Sequence, residues 1–146
     1  MSAWRDRWNA VADALQRWIA MDLVLLVSRV GIASVFFYSG RTKVDGWLHV
    51  TDSAVALFRD EYRLPWVDPA LAAHGAAWAE HLFPLLLVLG LVTRASALAL
   101  LAMTLVIEVF VYPLAWPTHL SWAAPLLLLA ARGGGTWSLD RTLGLR

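Results

Sequence analysis

The chain contains no cysteine. That absence excludes disulfide exchange, thiolate metal sites, covalent thioether haem and cysteine-ligated iron–sulfur clusters, so any redox role must use a bound cofactor or a partner. Net charge is scarce as well: 12 Lys and Arg against 11 Asp and Glu leave a formal +1, and the basic residues are scattered. With no basic stripe to meet phosphates, nucleic acid is set aside as a partner. The chain also lacks a nucleophile elbow, a phosphate-cradling glycine loop, a zincin pair and a paired-carboxylate arrangement. Gly133, Gly134 and Gly135 follow a helical pattern rather than a strand, so they read as a helix stop and turn. No internal repeat or low-complexity tract is present. The first twenty residues lack the marks of a cleaved signal, because Asp6 and Asp13 interrupt the charge pattern and no small-x-small site follows. The amino terminus is expected to be retained.

Apolar surface, in contrast, is abundant. Hydrophobic residues make up 60% of the 146 and mean hydropathy is +0.60, against the ~45–50% apolar content usual for soluble domains. The excess needs lipid to cover it, and the length leaves room for one domain. The reading is all-α: an integral membrane four-helix bundle over 22–146, preceded by an amphipathic surface helix over 1–21. In that first segment Trp4, Trp8, Val11, Ala12, Leu15 and Trp18 recur at three- and four-residue steps, with Arg5, Asp6, Asn9, Asp13 and Arg17 on the remaining face. The pattern suits a helix lying on the bilayer or docked on another protein.

The spans are expected over about 22–40, 70–91, 95–112 and 118–131, measured against the ~20 residues that cross ~30 Å of hydrocarbon. Ala, Gly and His weaken the first half of the second, Pro113 stops the third, and the short fourth implies local thinning or burial of its ends. Between the first two spans, Val50, Ala54, Leu57 and Phe58 follow helical spacing and read as a short interfacial helix. Trp47, Trp66 and Trp116 fall at span ends on one side, Trp18 and Trp137 on the other, as an aromatic belt requires. Arg5, Arg7, Arg17, Arg94, Arg132, Arg141 and Arg146 lie outside the spans on one side, against Arg41, Lys43, Arg59 and Arg63 on the other. That bias places both termini in the cytoplasm.

Ionisable residues inside a span cost about 2.5–3.5 kcal/mol each at a helix centre, so they turn inward and find partners. Arg29, Glu80, His81 and Glu108 meet that description. Counting ~1.5 Å per residue from the expected span ends predicts an Arg29–Glu80 ion pair near mid-bundle, as a functional pair or as a device fixing helix register. Glu108 falls in the outer half of the third span, one turn before Tyr112. Arg41, Lys43 and His119 approach the same level from the first and fourth spans, so these five residues are expected to form a polar pocket opening away from the cytoplasm. The alternative for Glu108 is a neutral carboxylic acid donating one hydrogen bond to a backbone carbonyl. His74 and His81, seven apart on one helix face, are weak metal candidates, but ~10 Å of axial separation keeps them from sharing an ion. Packing or interfacial histidines are expected instead, and no metal site is assigned.

Several of these residues fall in recognisable strings. Arg29 is followed by Phe36-Phe37-Tyr38-Ser39-Gly40 and Lys43; Glu80 precedes Leu89-Gly90-Leu91-Val92-Thr93-Arg94; the chain ends on Gly133-Gly134-Gly135-Thr136-Trp137-Ser138-Leu139-Asp140. Taken together, from about Leu25 to Gly144, the chain resembles the DoxX family of small bacterial membrane proteins. The strings Leu57 to Pro65 and Val111 to Trp122 look like a narrower subgroup, whose members are often encoded beside small periplasmic metal-binding or peptide-modifying proteins. The resemblance implies a four-helix bundle in the bacterial inner membrane and, for some members, association with oxidoreductase complexes, including quinone-linked oxidation of thiosulfate. The family has no agreed catalytic residues, so the matched Arg29, Lys43, Glu80 and Arg94 are first of all candidates for shared architecture.

Three functions stay open at this point. The first is an accessory or anchoring subunit that supports a protein partner at the extracytoplasmic face through the segment from Arg41 to Pro69. The second is a quinone-interacting oxidoreductase subunit in which Glu108, Tyr112 and His119 bind or protonate the head group, near Phe110, Trp116 and Trp122. The third is a carrier for a small solute or metal ion, which would need a homo-oligomer, because four spans leave little room for alternating access.

Overall fold

The computed structural model describes residues 3–145, with only the backbone of Arg17 included. Arg146, counted above toward the charge bias, lies outside the described residues, as does the side chain of Arg17. Helix α1 (Ala3–Trp18) stands first, and α2 (Met21–Arg41) follows after a two-residue break. A strap then carries a two-stranded antiparallel hairpin, β1 (Val44–Asp45) and β2 (His49–Val50), and the short helix α3 (Asp52–Leu57), which widens into a π-turn over Phe58–Tyr62. Helices α4 (Pro69–Leu89), α5 (Thr93–Val106, continued by a second π-turn over Ile107–Val111) and α6 (Trp116–Arg132) complete the long elements, and the four-residue α7 (Leu139–Thr142) closes the chain.

The boundaries follow local chemistry. Thr51 caps α3, its hydroxyl accepting from Ala54 N, and Asp68 caps α4 by accepting from Ala70 N and Leu71 N, with Pro69 in the first turn where its missing N–H costs nothing. Helix α4 stops two residues earlier than the expected 91, because Gly90 takes a left-handed conformation at φ 67°. The glycine is obligatory for a second reason: a Cβ there would lie 1.8 Å from Arg29 Nη1. The hairpin was not foreseen; the helical spacing read at Val50, Ala54, Leu57 and Phe58 falls on the short helix α3 and its π-turn, with the extra β pairing before it.

The four long helices form a ring in which α2 packs on α4 and α6, and α5 packs on the same two. One apolar core lies inside it, with Leu25, Ile32, Phe36, Leu87, Leu100 and Leu126 all buried. A second, smaller core sits beneath the strap, where Val44, Val50, Ala54 and Phe58 cover Ala73 and Ala77 of α4. Outward-facing positions are apolar as well, Val27, Leu82, Leu98 and Leu105 among them. Three helical stretches are long and apolar enough to cross a bilayer: Met21–Arg41, Pro69–Leu89 and Thr93–Val111. Helix α6, at 17 residues, is shorter and holds Pro125 in its interior.

The two cores reveal an axial offset. Helices α2 and α4 run antiparallel, with Gly40 level with Glu80 and His81 at one end and Arg29 level with Gly90 at the other. The first turns of α4 therefore project past the end of α2 and carry the strap. Gly40 permits this close approach, since a Cβ would meet Glu80 Cβ at 2.9 Å.

Candidate functional site

Polar side chains gather at two ends of the ring, and they do different things there. At the end where the chain terminates, each binds main chain. Arg29 Nη2 donates to Trp137 O at 2.7 Å, and Asp22 accepts from Thr136 N at 2.8 Å. Asp140 accepts from Val92 N and Thr93 N at 2.6 and 2.9 Å, which caps α5. Arg94 Nη1 donates to the carbonyls of Ala130 and Ala131 at the end of α6, each at 2.6 Å. The glycine run and the Ser-Leu-Asp tail thus tie the starts of α2 and α5 to the end of α6.

The expected Arg29–Glu80 ion pair is not formed. Arg29 is committed to the Trp137 carbonyl, and Glu80 binds elsewhere. The offset of α4 is the physical reason: ten to eleven residues separate the level of Arg29 from that of Glu80, about 15 Å at ~1.5 Å per residue. Counting each helix from its own expected span end had left a gap that the long guanidinium arm was expected to cover.

At the strap end, side chains bind one another around a cavity of about 470 Å³. Phe36 of α2, Ala72 and Ala76 of α4, Ile107 of α5 and Trp122 of α6 give it apolar walls, and Phe58 and Leu64 of the strap roof it. Lys43 Nζ lies 2.8 Å from Glu80 Oε2 at one side of this space, with side chains 6% and 4% exposed. Ser39 completes the group, its hydroxyl donating to Glu80 Oε1 at 3.1 Å while Lys43 Nζ donates to the Ser39 carbonyl at 3.2 Å. An ion pair this dry is retained only because each charge meets the other, and breaking it leaves an uncompensated buried charge.

Of the five residues expected in one outer pocket, three border the cavity: Lys43, Tyr112 and His119. Glu108 reaches it through His119, whose Nδ1 lies 2.5 Å from Glu108 Oε2. The partner is thus a side chain, where the alternative had placed a backbone carbonyl. Glu108 itself borders a separate groove of about 600 Å³ on the outer face of α5 and α6, and His119 borders both spaces. Arg41 is not in the cavity; it points outward, donating to Gly46 O at 3.1 Å inside the hairpin turn.

Sequence reasoning missed Ser39, Glu61 and Tyr62. Tyr112 Oη donates to Glu61 Oε1 at 2.5 Å, joining the two π-turns, and the Tyr62 ring meets that of Tyr112 edge-on at 5.8 Å. Burial pushes the Tyr62 phenol above its ordinary range. Nothing local announces these partners, since Glu61 and Tyr112 are 51 residues apart. Ser39 had a signal, one turn before Lys43 on the same helical path.

The histidines of α4 keep to themselves. His74 and His81 each donate Nδ1–H to the carbonyl four residues back, Ala70 and Ala77, at 2.7 Å. His81 also lies edge-on to Phe37 at 5.2 Å. Among the described residues no three His, Asp or Glu side chains are grouped to hold a metal ion.

Long apolar helices around an internal core, with buried charges at one end of an apolar cavity, define the class as a small helical membrane protein. The family model of DoxX matches residues 24–113, from α2 to the end of α5, and the chain belongs to the DoxX family. An uncharacterized protein of Haemophilus influenzae is 30% identical over 141 residues, covering 88% of both chains. No solved structure matches. Arg29, Lys43, Glu80, Arg94 and Glu108 fall inside the family match, and His119 and the Asp140 tail lie beyond it.

Proposed function

We propose that all four long helices span the bacterial inner membrane as a bundle, with both termini cytoplasmic and the strap outward, and that the strap-end cavity binds a quinone-type ring. The observation that carries the reading is the Lys43–Glu80–Ser39 cluster set into an otherwise apolar space of about 470 Å³. Ligand sites for small molecules combine those traits: a few hundred cubic ångströms, apolar walls and a small number of fixed polar groups. Phe36, Tyr62 and Trp122 supply ring faces and edges, and the remaining apolar wall suits an aliphatic tail. Helix α6 completes the crossing although it is short, because its ends are covered by the strap end and by the tail. Helix α1 lies on the cytoplasmic surface, with Trp4, Trp8 and Trp18 exposed for lipid.

The test is extraction of quinone from protein purified from its own membrane in mild detergent. Wild type is expected to carry quinone in stoichiometric amount. Ala76→Phe, which fills the cavity and leaves every polar group in place, is expected to lose it. A wild-type protein that carries none, and binds none when it is added, refutes the reading.

A second reading, an accessory subunit that anchors a protein partner at the outer face, is favoured by Trp47 and Trp66 of the strap, 96% and 95% exposed. Photocrosslinking from positions 47 and 66 in native membranes would capture such a partner in stoichiometric yield. A quinone-free complex of that kind would rank this reading first.

A further inference from the structure

At the opposite end from the strap, a cleft of about 610 Å³ lies between the starts of α2 and α5, the glycine run and α7. Arg94, Arg132 and Arg141 line it, against Asp22 and Asp140. Both aspartates are spent on main chain, Asp22 on Thr136 N and Asp140 on Val92 N and Thr93 N. The arginines keep more in hand. Arg94 uses Nη1 on the carbonyls of Ala130 and Ala131, while its Nε and Nη2 stand beside Gly133. Arg132 and Arg141 form no ion pair among the described residues.

Main chain adds to this excess of donors. The first N–H groups of a helix have no partner inside it. Asp140 satisfies two of those of α5, and the next two, Arg94 N and Ala95 N, bind nothing among the described residues. The start of α2 borders the same cleft without a side-chain cap, so two helices turn the positive ends of their dipoles toward it. Buried side chains point the same way. Thr93, fully buried, lies at the floor against Gly134, and its hydroxyl has no partner. Arg29, 1% exposed, adjoins Ser138 of the cleft wall, and its Nε and Nη1 are unpartnered among the described residues. A guanidinium does not shed its proton, so in these low-dielectric surroundings its charge acts beyond contact distance.

We propose that this cleft binds a phosphate group, held by Arg132 and Arg141 at the mouth and by Arg94, the N–H groups of Arg94 and Ala95 and the Thr93 hydroxyl at the floor. Several acceptor oxygens and a full negative charge suit forked donors that approach from α5, α6 and α7 at once. Two sources carry that chemistry: the headgroup of an anionic phospholipid, whose glycerol would lie along Met21, Leu25 and Leu145 of the cleft, and free phosphate.

The experiment uses the full chain in detergent with two pairs of probes: inorganic phosphate against sodium chloride at equal ionic strength, read by thermal unfolding, and phosphatidylglycerol against phosphatidylcholine, read by native mass spectrometry. Saturable stabilisation by phosphate beyond that by chloride, without selective lipid retention, assigns free phosphate. One phosphatidylglycerol retained per chain in preference to phosphatidylcholine assigns the headgroup, whether or not free phosphate competes for it. In either arm, Arg132→Gln and Arg141→Gln are each expected to weaken binding about tenfold, and Thr93→Val severalfold. Phosphate and chloride acting alike while both lipids are retained equally overturns the inference. So does a preference that survives the double variant Arg132→Gln with Arg141→Gln. Should that variant fail to fold, the wild-type comparison decides, because it needs no substitution.

Discussion

The two ends of the helical ring use similar residues for opposite purposes. At the tail end Asp22, Arg29, Arg94 and Asp140 all bind backbone N–H or C=O groups, and the contacts close turns and cap helices. At the strap end Lys43, Glu80, Glu108, His119, Glu61 and Tyr112 bind one another, beside a space that no side chain fills. Charges spent on main chain hold a fold, although at this end Arg29 Nε and Nη1 are left without a partner among the described residues. Charges paired across a cavity cost stability to bury, and they keep chemistry available at its wall.

Breaking the strap-end pair is expected to have the largest effect. Glu80→Leu leaves Lys43 buried without its counter-charge and should cost about 3–5 kcal/mol, while adding Lys43→Met should restore most of it. Thermal unfolding in detergent measures both, and a single variant as stable as wild type would show that water already reaches the pair. Gly40→Ala comes next, because its methyl group meets Glu80 Cβ at 2.9 Å and must part α2 from α4. The expected loss is about 1–3 kcal/mol, accompanied by weakened ligand retention.

Asp140→Ala sharpens the contrast. It uncaps α5 at Val92 and Thr93 and should cost about 0.5–2 kcal/mol, with the cavity's ligand content unchanged. Loss of ligand in this variant would mean that the two ends are coupled. The smallest effect is expected for Tyr112→Phe, about 1 kcal/mol for one hydrogen bond lost to Glu61. Its signature is local: hydrogen exchange over Asp52–Tyr62 should quicken while that of α2 stays unchanged.

Helix positions were legible because an apolar run of span length, ended by Gly90, Pro113 or the glycine run, has few other solutions in lipid. Counting depth along the helices put Glu108 at one level with Arg41, Lys43 and His119, and of these it is His119 that it meets. Arg29 was misread for a definite reason. Its partner is the main-chain carbonyl of Trp137, 108 residues away, and a carbonyl leaves no mark in a sequence. The Lys43–Glu80 pair was hidden by the sliding of α4 past α2, which depends on Gly40 and on the fit of Ala73 and Ala77 under the strap.

The amino-acid sequence by itself determined that the chain folds as apolar helices, belongs with lipid and carries a few intramembrane charges that must find partners, because hydropathy and helix length are local properties. Only the tertiary structure decided which charges meet, since axial register between helices is set by packing at small residues, and one helix sliding by a few turns exchanges every partner along it.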